Sequence, residues 1–353
     1  MIDSLVALLG LQAQDPAFWM PLVFMGLLYA IVVAGTVLDG FDIGVGCLAP
    51  FAPPVLRARM LSLLSPWRDA NEFWLILGVG LFAAAFPQAW AAVMRPLSLP
   101  LLLLALGVLV RSAAFEMRLR APIESQNGWA LAFSLGSWFT AFAHGMTLGR
   151  IVSGYESGPG YFWYAVFLGL CAVAAYSLLG ATWLIMREPG ELRIRAAYWG
   201  RQSVRWCAAG AVAVSLVLAF ANTGVFLRWS DGTRWGVVVG LWLFILVCFM
   251  ALEMVLQRMI NRSLRASAVP FCLVLLIFLI MLGGLGYSFF PYLVLDDVTI
   301  WDAAASVDAL RLVLAASIVA LPVALIFNIW VYWRMFGVSR APQQPEFKPV
   351  DPA

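Results

Sequence analysis

The feature that most constrains this chain is a succession of apolar runs, each about 20 residues long, repeated along nearly its whole length. A helix of that length spans the roughly 30 Å hydrocarbon core of a bilayer. Nine runs can be read, at about 18–38, 72–92, 97–117, 129–149, 161–186, 204–227, 235–256, 268–290 and 308–333. Composition agrees: 63% of the 353 residues are hydrophobic and only 12% are charged. The expected fold class is therefore all-α, a polytopic membrane helix bundle of about nine transmembrane helices. Residues 1–337 should form one transmembrane domain. The polar, proline-containing stretch 338–353 is expected to be a disordered tail.

Charge orients the bundle. The connections after the odd-numbered runs, with the tail, carry sixteen basic residues: Arg57, Arg59, Arg68, Arg118, Arg120, Arg187, Arg193, Arg195, Arg201, Arg205, Arg258, Arg262, Arg265, Arg334, Arg340 and Lys348. The other side carries five: Arg95, Arg150, Arg228, Arg234 and Arg311. Basic residues concentrate in cytoplasmic loops, so the N-terminus is expected outside and the C-terminus in the cytoplasm. That arrangement needs an odd number of spans. The first run has no Lys or Arg before it, unlike a cleaved signal peptide, and is expected to remain as a helix.

The same sparseness of charge argues against nucleic-acid binding. The five cysteines (Cys47, Cys171, Cys207, Cys248 and Cys272) form no C-x-x-C pair and read as small core residues. The single histidine, His144, cannot by itself supply a bis-histidine haem site or a histidine-rich metal cluster.

Against this background the polar residues at the run ends stand out. The first run ends in Leu38-Asp39-Gly40-Phe41-Asp42-Ile43-Gly44-Val45-Gly46. Two carboxylates three residues apart lie near one helix face, and a carboxylate in hydrocarbon is expensive. The plainer reading has both aspartates facing water and the glycines ending the helix. Pro50, Pro53, Pro54 and Pro66 should bend the following connection. It leads into Asp69-Ala70-Asn71-Glu72, a second polar cluster on the same side. Arg111 lies about two turns inside the third run. It needs a counter-charge among Asp39, Asp42, Asp69, Glu72 and Glu116, or must snorkel to headgroups. Glu253 near the end of run seven reads as a headgroup contact. Thr182 and Trp183 read as packing and interface residues. A lone intramembrane histidine such as His144 is more often a satisfied hydrogen-bonding residue than a ligand.

Taken in order, these motifs resemble subunit II of cytochrome bd quinol oxidases, the cyanide-insensitive type included. Leu38 to Gly46 is similar to that family's (V/L/T)-D-G-F-D-(L/M)-G-(V/I)-G pattern. Pro66 to Leu75 resembles P-x-W-D-G-N-(E/Q)-x-W-L, and Val108 to Arg118 resembles a third. Gly136-Ser137, Gly180 to Leu184 and Thr299 to Ala304 extend the likeness along nearly the whole chain. The chain departs from the family at Arg68, where Trp is usual, and at Ala70, where Gly is usual. An arginine beside Asp69 would favour its ionised form.

The resemblance implies a non-haem subunit of a quinol:oxygen oxidoreductase in the bacterial cytoplasmic (inner) membrane. Its partner would be a haem-bearing subunit I holding two haems b and one haem d, which oxidises quinol and reduces oxygen to water. No cofactor is expected in this chain. A structural quinone here and a small third subunit are left open. On this reading Asp69 is the proton-entry acid. Asp39, Asp42 and Glu72 complete the polar cluster, and Arg111 is its counter-charge. Two other classes compete: a proton-coupled secondary transporter, which would show inverted repeats and broken helices near the midplane, and a purely structural scaffold.

Overall fold

A computed structural model describes residues 10–64, 68–232, 235–261 and 267–335. The tail from 338, the motif residues Ser65–Trp67, and Arg234, Arg262, Arg265, Arg340 and Lys348 lie outside the described residues.

The chain opens on α1 (Pro16–Leu48), 33 residues long. Asp15 caps it, its side chain accepting from the Ala17 N–H at 3.0 Å, and Pro16 fills the first turn, where no N–H partner is needed. The helix continues through both aspartates and all three motif glycines and ends only near Pro50. A 3-10 turn (Ala49–Phe51) and the short α2 (Pro54–Ser62) then make the proline-bent connection. Arg57 holds that corner, donating to the carbonyls of Ala49, Pro50 and Ala52 and to Asn127 Oδ1. It thereby satisfies carbonyls that a helix end leaves open.

The second apolar run is not one straight span. It forms α3 (Arg68–Ala85) and α4 (Pro87–Met94), bent by 111° at Phe86-Pro87. Pro87 has no N–H for the helical ladder and clashes with the preceding turn. Four long helices follow: α5 (Ser98–Arg120), α6 (Ile123–Val152), α7 (Pro159–Arg187) and α8 (Glu191–Ala221). The short α9 (Thr223–Ser230) leads to α10 (Trp235–Ile260) and α11 (Val269–Phe289). A small antiparallel hairpin, β1 (Tyr292–Val294) and β2 (Val298–Thr299), precedes α12 (Val307–Met335).

Seven described helices are long and apolar enough to cross a membrane, or eight if the bent α3–α4 pair counts as one. The chain is an all-α polytopic membrane protein. Helix α6, expected as the fourth span, has 30 residues but is not among the seven. It carries Ser134, Ser137, Thr140 and His144 in its middle.

The core forms where α5, α6, α7 and α8 pack in sequence and α1 lies against α7 and α3. Helices in lipid gain little from apolar burial alone, so close backbone approach matters more. At Gly44 an added Cβ would strike the Tyr176 carbonyl of α7, and at Gly180 it would strike the Gly44–Val45 backbone. Gly44 and Gly46 thus seat a neighbouring helix and do not end their own. Trp183 is buried and stacks on Phe41, centroids 5.0 Å apart and planes 7° apart, so it is a core residue and not an interface anchor. All five cysteines are free thiols and four are buried.

Candidate functional site

Two buried positions on α1 begin the site. Asp39 is 4% exposed and Asp42 is fully buried, so neither faces water. α3 runs beside α1 and α5 packs against α6 such that Arg111 points at both acids' helix. The seat for Arg111 comes from glycine: a Cβ on Gly136 of α6 would lie 2.5 Å from the Arg111 backbone nitrogen.

Arg111 is fully buried and cannot snorkel. Its guanidinium forks onto Asp39, in a close ion pair from Nη2 and a 3.3 Å bond from Nη1. It also donates to Glu72 Oε1, from Nη2 at 2.9 Å and from Nε at 3.1 Å. Glu72 accepts from the Ser112 hydroxyl at 2.9 Å and from Arg68 at 2.9 Å. Arg68 is buried as well, yet its Nη2 reaches Asp69 at 2.6 Å and Glu116 at 3.6 Å. Its guanidinium also sits 4.5 Å over the Phe115 ring. Planar five-donor forks suit this multiple pairing better than a lysine would.

The acids differ sharply in exposure. The Asp69 side chain is 82% exposed, Glu116 43%, Glu72 18% and Asp39 6%. The cluster therefore runs as one connected chain from solvent to the interior, Asp69–Arg68–Glu72–Arg111–Asp39. Chains of this kind hold their geometry tightly in low dielectric, and here, among the described residues, Arg68 Nε alone of the cluster's buried side-chain nitrogens and oxygens is left without a partner.

Asp42 stands outside that chain. Among the described residues it pairs with no cation: its Oδ2 accepts from Asn71 Nδ2 at 2.7 Å, and its Oδ1 has no partner. Asn71 in turn accepts from the Tyr332 hydroxyl at 3.0 Å, and Asn328 donates to the Ala70 carbonyl at 2.9 Å. Two residues of α12 thus close the other side of the site. Glu253 does not face headgroups alone, since it pairs with Arg201 at 2.7 Å and Arg205 at 3.4 Å.

Sequence reasoning did not foresee Ser112, Asn328 or Tyr332. Ser112 sits next to Arg111, a signal that was available. The α12 residues lie over 250 positions away in sequence, and no spacing could point to them. Glu116, a candidate partner of Arg111, pairs instead with Arg68 and Arg120.

His144 Nδ1 is engaged by the Tyr176 hydroxyl at 3.0 Å, and among the described residues no three His, Cys, Asp or Glu side chains converge. What the arrangement offers chemically is a string of carboxylates and hydroxyls able to hold and pass protons.

Three comparisons with known proteins agree with one another. The family described as "Cytochrome bd terminal oxidase subunit II" matches residues 20–335. "Cytochrome bd-I ubiquinol oxidase subunit 2" of Escherichia coli (strain K12) is 28% identical, over 88% of this chain and 93% of that protein. "Cytochrome bd ubiquinol oxidase subunit 2" of Bacillus subtilis (strain 168) is 24% identical, over 87% and 93%. In fold, a chain of the bd oxidase from Geobacillus thermodenitrificans superimposes with a TM-score of 0.70 at 16% identity, over 91% of this chain and 99% of that one.

Proposed function

This chain belongs to the cytochrome bd terminal oxidase subunit II family, and from that premise we propose that it is the non-haem subunit of a bd-type quinol oxidase in a bacterial inner membrane. It works beside a subunit I that carries the haems b and d, oxidises quinol and reduces oxygen to water. Its own part is to stabilise that partner and to admit protons from the cytoplasm. A structural quinone and a third small subunit are compatible with this reading and are not needed by it.

The observation that carries the proton role is the connected cluster from exposed Asp69 to buried Asp39. Asp69 takes a proton from the cytoplasm. Glu72 and Asp39 hold the interior positions, and Arg68 and Arg111 keep them aligned. Ionisable groups in membrane spans, paired and facing the bundle interior, commonly mark such relays. Nine spans follow if the bent α3–α4 pair is one span and α6 is another. The asymmetry of basic residues supports an N-terminus outside and a C-terminus in the cytoplasm.

The test is to purify the chain with its haem-bearing partner and measure quinol-driven oxygen uptake across pH. Asp69→Asn should keep the haem spectrum and slow uptake by about a hundredfold or more, the scale of a lost proton-transfer group. A pure scaffold predicts the reverse: charge swaps that shift stability and leave turnover alone. Unchanged uptake at every pH would remove Asp69 from the path.

A further inference from the structure

A second polar group lies beyond Asp39. One helical turn further into the membrane on α1 stands Thr36, and beside it lies the hydroxyl of Tyr176 from α7. Tyr176 is 6% exposed. Its ring lies flat enough on α1 that a Cβ on Gly40, the neighbour of Asp39, would come within 2.9 Å of it. The same hydroxyl meets His144 Nδ1 of α6 at 3.0 Å, with the two rings 5.6 Å apart. Three helices therefore converge on this hydroxyl.

The depth is informative. Gly136 of α6 lies against the Arg111 backbone. His144 is eight residues further along the same helix, about 12 Å deeper at 1.5 Å per residue. Tyr176 and His144 thus continue the line of the cluster toward the middle of the bundle. His144 is only partly buried, so the line ends near the lateral surface of the helices. An ionisable side chain at such depth, with a named polar partner, is where intramembrane proton movement is to be sought.

We propose that Tyr176 and His144 extend the proton path beyond Asp39 to the lateral face of the bundle. This rests on the proton-entry reading and lengthens it. Tyr176 takes a proton from the Thr36–Asp39 side as it gives its own to His144 Nδ1, and His144 releases the proton on Nε2. Each side chain gains one proton and loses one, and no electron moves. The charged and titratable groups that face the pair are Asp39 and Cys47 on α1 and Arg111 on α5.

The test uses the oxidase complex purified with its haem-bearing partner and compares Tyr176→Phe, His144→Gln and Asp69→Asn. Phenylalanine keeps the ring and removes the hydroxyl. Glutamine can keep a hydrogen bond but does not take up a proton at this pH. Both variants should retain the haem spectrum and melting temperature, slow oxygen uptake by about a hundredfold, and change the shape of its pH profile. A merely structural pair predicts a lowered melting temperature for Tyr176→Phe, little change for His144→Gln, which keeps a hydrogen bond, and an unaltered pH profile in both. If Asp69→Asn slows uptake while His144→Gln and Tyr176→Phe keep the wild-type profile, the extension is wrong and the entry site stands. If Asp69→Asn is also silent, the underlying reading falls and the extension with it. Should Tyr176→Phe lose haem, the His144→Gln profile decides.

Discussion

The first helix α1, toward its C-terminal end, and the long last helix α12 are both apolar, yet they are used in opposite ways. Every residue of α1 from Asp39 to Leu48 is buried. On α12 the buried positions are Leu310, Ser317, Ala324, Asn328 and Val331, a single stripe, with Leu312, Ile326 and Trp333 among many exposed side chains. α10 shows the same division within one helix. Its buried residues, from Cys248 to Met259, all lie in its second half. In water this much exposed apolar surface would mark an interface. In lipid it carries no such cost, and burial follows from close backbone approach and from charges that need partners. Apolar content therefore says that a helix crosses the membrane. Glycine and charge say which face meets protein.

That contrast is easiest to break at glycine. Gly44→Leu or Gly180→Leu would push a side chain into the facing backbone, which cannot yield as a flexible side chain can. Overpacking against backbone should cost more than the 1–3 kcal/mol usual for side-chain crowding. Assembled protein should be largely lost from detergent-solubilised membranes, read as monodisperse yield. Gly240→Ala on α10 meets nothing within 4 Å. It should leave yield unchanged or raise it slightly, since alanine favours the helix by up to about 1 kcal/mol. Equal losses at Gly44 and Gly240 would erase the distinction between the two regions.

Charge gives the next largest effect. Arg111→Ala leaves Asp39 and Glu72 without their buried partner, and breaking such a pair costs about 3–5 kcal/mol. The melting temperature of the purified complex should fall accordingly. Arg311→Ala on α12 removes a side chain that is 63% exposed and, among the described residues, paired to exposed Asp308. Its effect should stay below about 0.5 kcal/mol after screening. Third comes simple packing. Leu178→Ala, at a fully buried position, should cost about 2–4 kcal/mol, against under 0.5 for Ile326→Ala at 65% exposure. If Ile326→Ala matched Leu178→Ala in the purified complex, α12 would have a covered face in that assembly.

How much of this was legible in the sequence follows the same physics. The apolar runs located every long helix but not its ends: α1 and α8 run well past theirs, and run 204–227 crosses the break between α8 and α9. Asp39, Asp42, Glu72 and Arg111 stood out because charge in hydrocarbon is costly wherever it occurs. What the sequence did not show was who pairs with whom. Asp39 takes Arg111 while Asp42, three residues on, takes Asn71, a choice set by how α1 rotates against α3. The bend at Pro87 was hidden inside an unbroken apolar run, although the proline itself was visible. The pairing of Asn71 with Tyr332 depends on α3 and α12 meeting in space, and no local period encodes that. His144 looked like an isolated polar residue because its partner lies on another helix.

The smallest expected effect sharpens the comparison most, because it lies within the packed region itself. Asp69 belongs to the buried cluster by hydrogen bonding but to the surface by exposure, at 82%. Removing its charge leaves Arg68 still paired with Glu72 at 2.9 Å and near Glu116 at 3.6 Å. The Coulombic gain from Asp69 itself is screened by water, so Asp69→Asn should change stability by less than about 0.5 kcal/mol. Its neighbour behaves differently. Arg68→Ala would strip a partner from Glu72, whose side chain is only 18% exposed, and should destabilise several times more. Melting the two variants side by side would read this directly. A large loss with Asp69→Asn would mean that the acid is a structural member of the cluster. A small one, joined to slowed oxygen uptake, is the combination a proton-entry acid requires, because a group that exchanges protons with water must do so without unlocking the helices behind it.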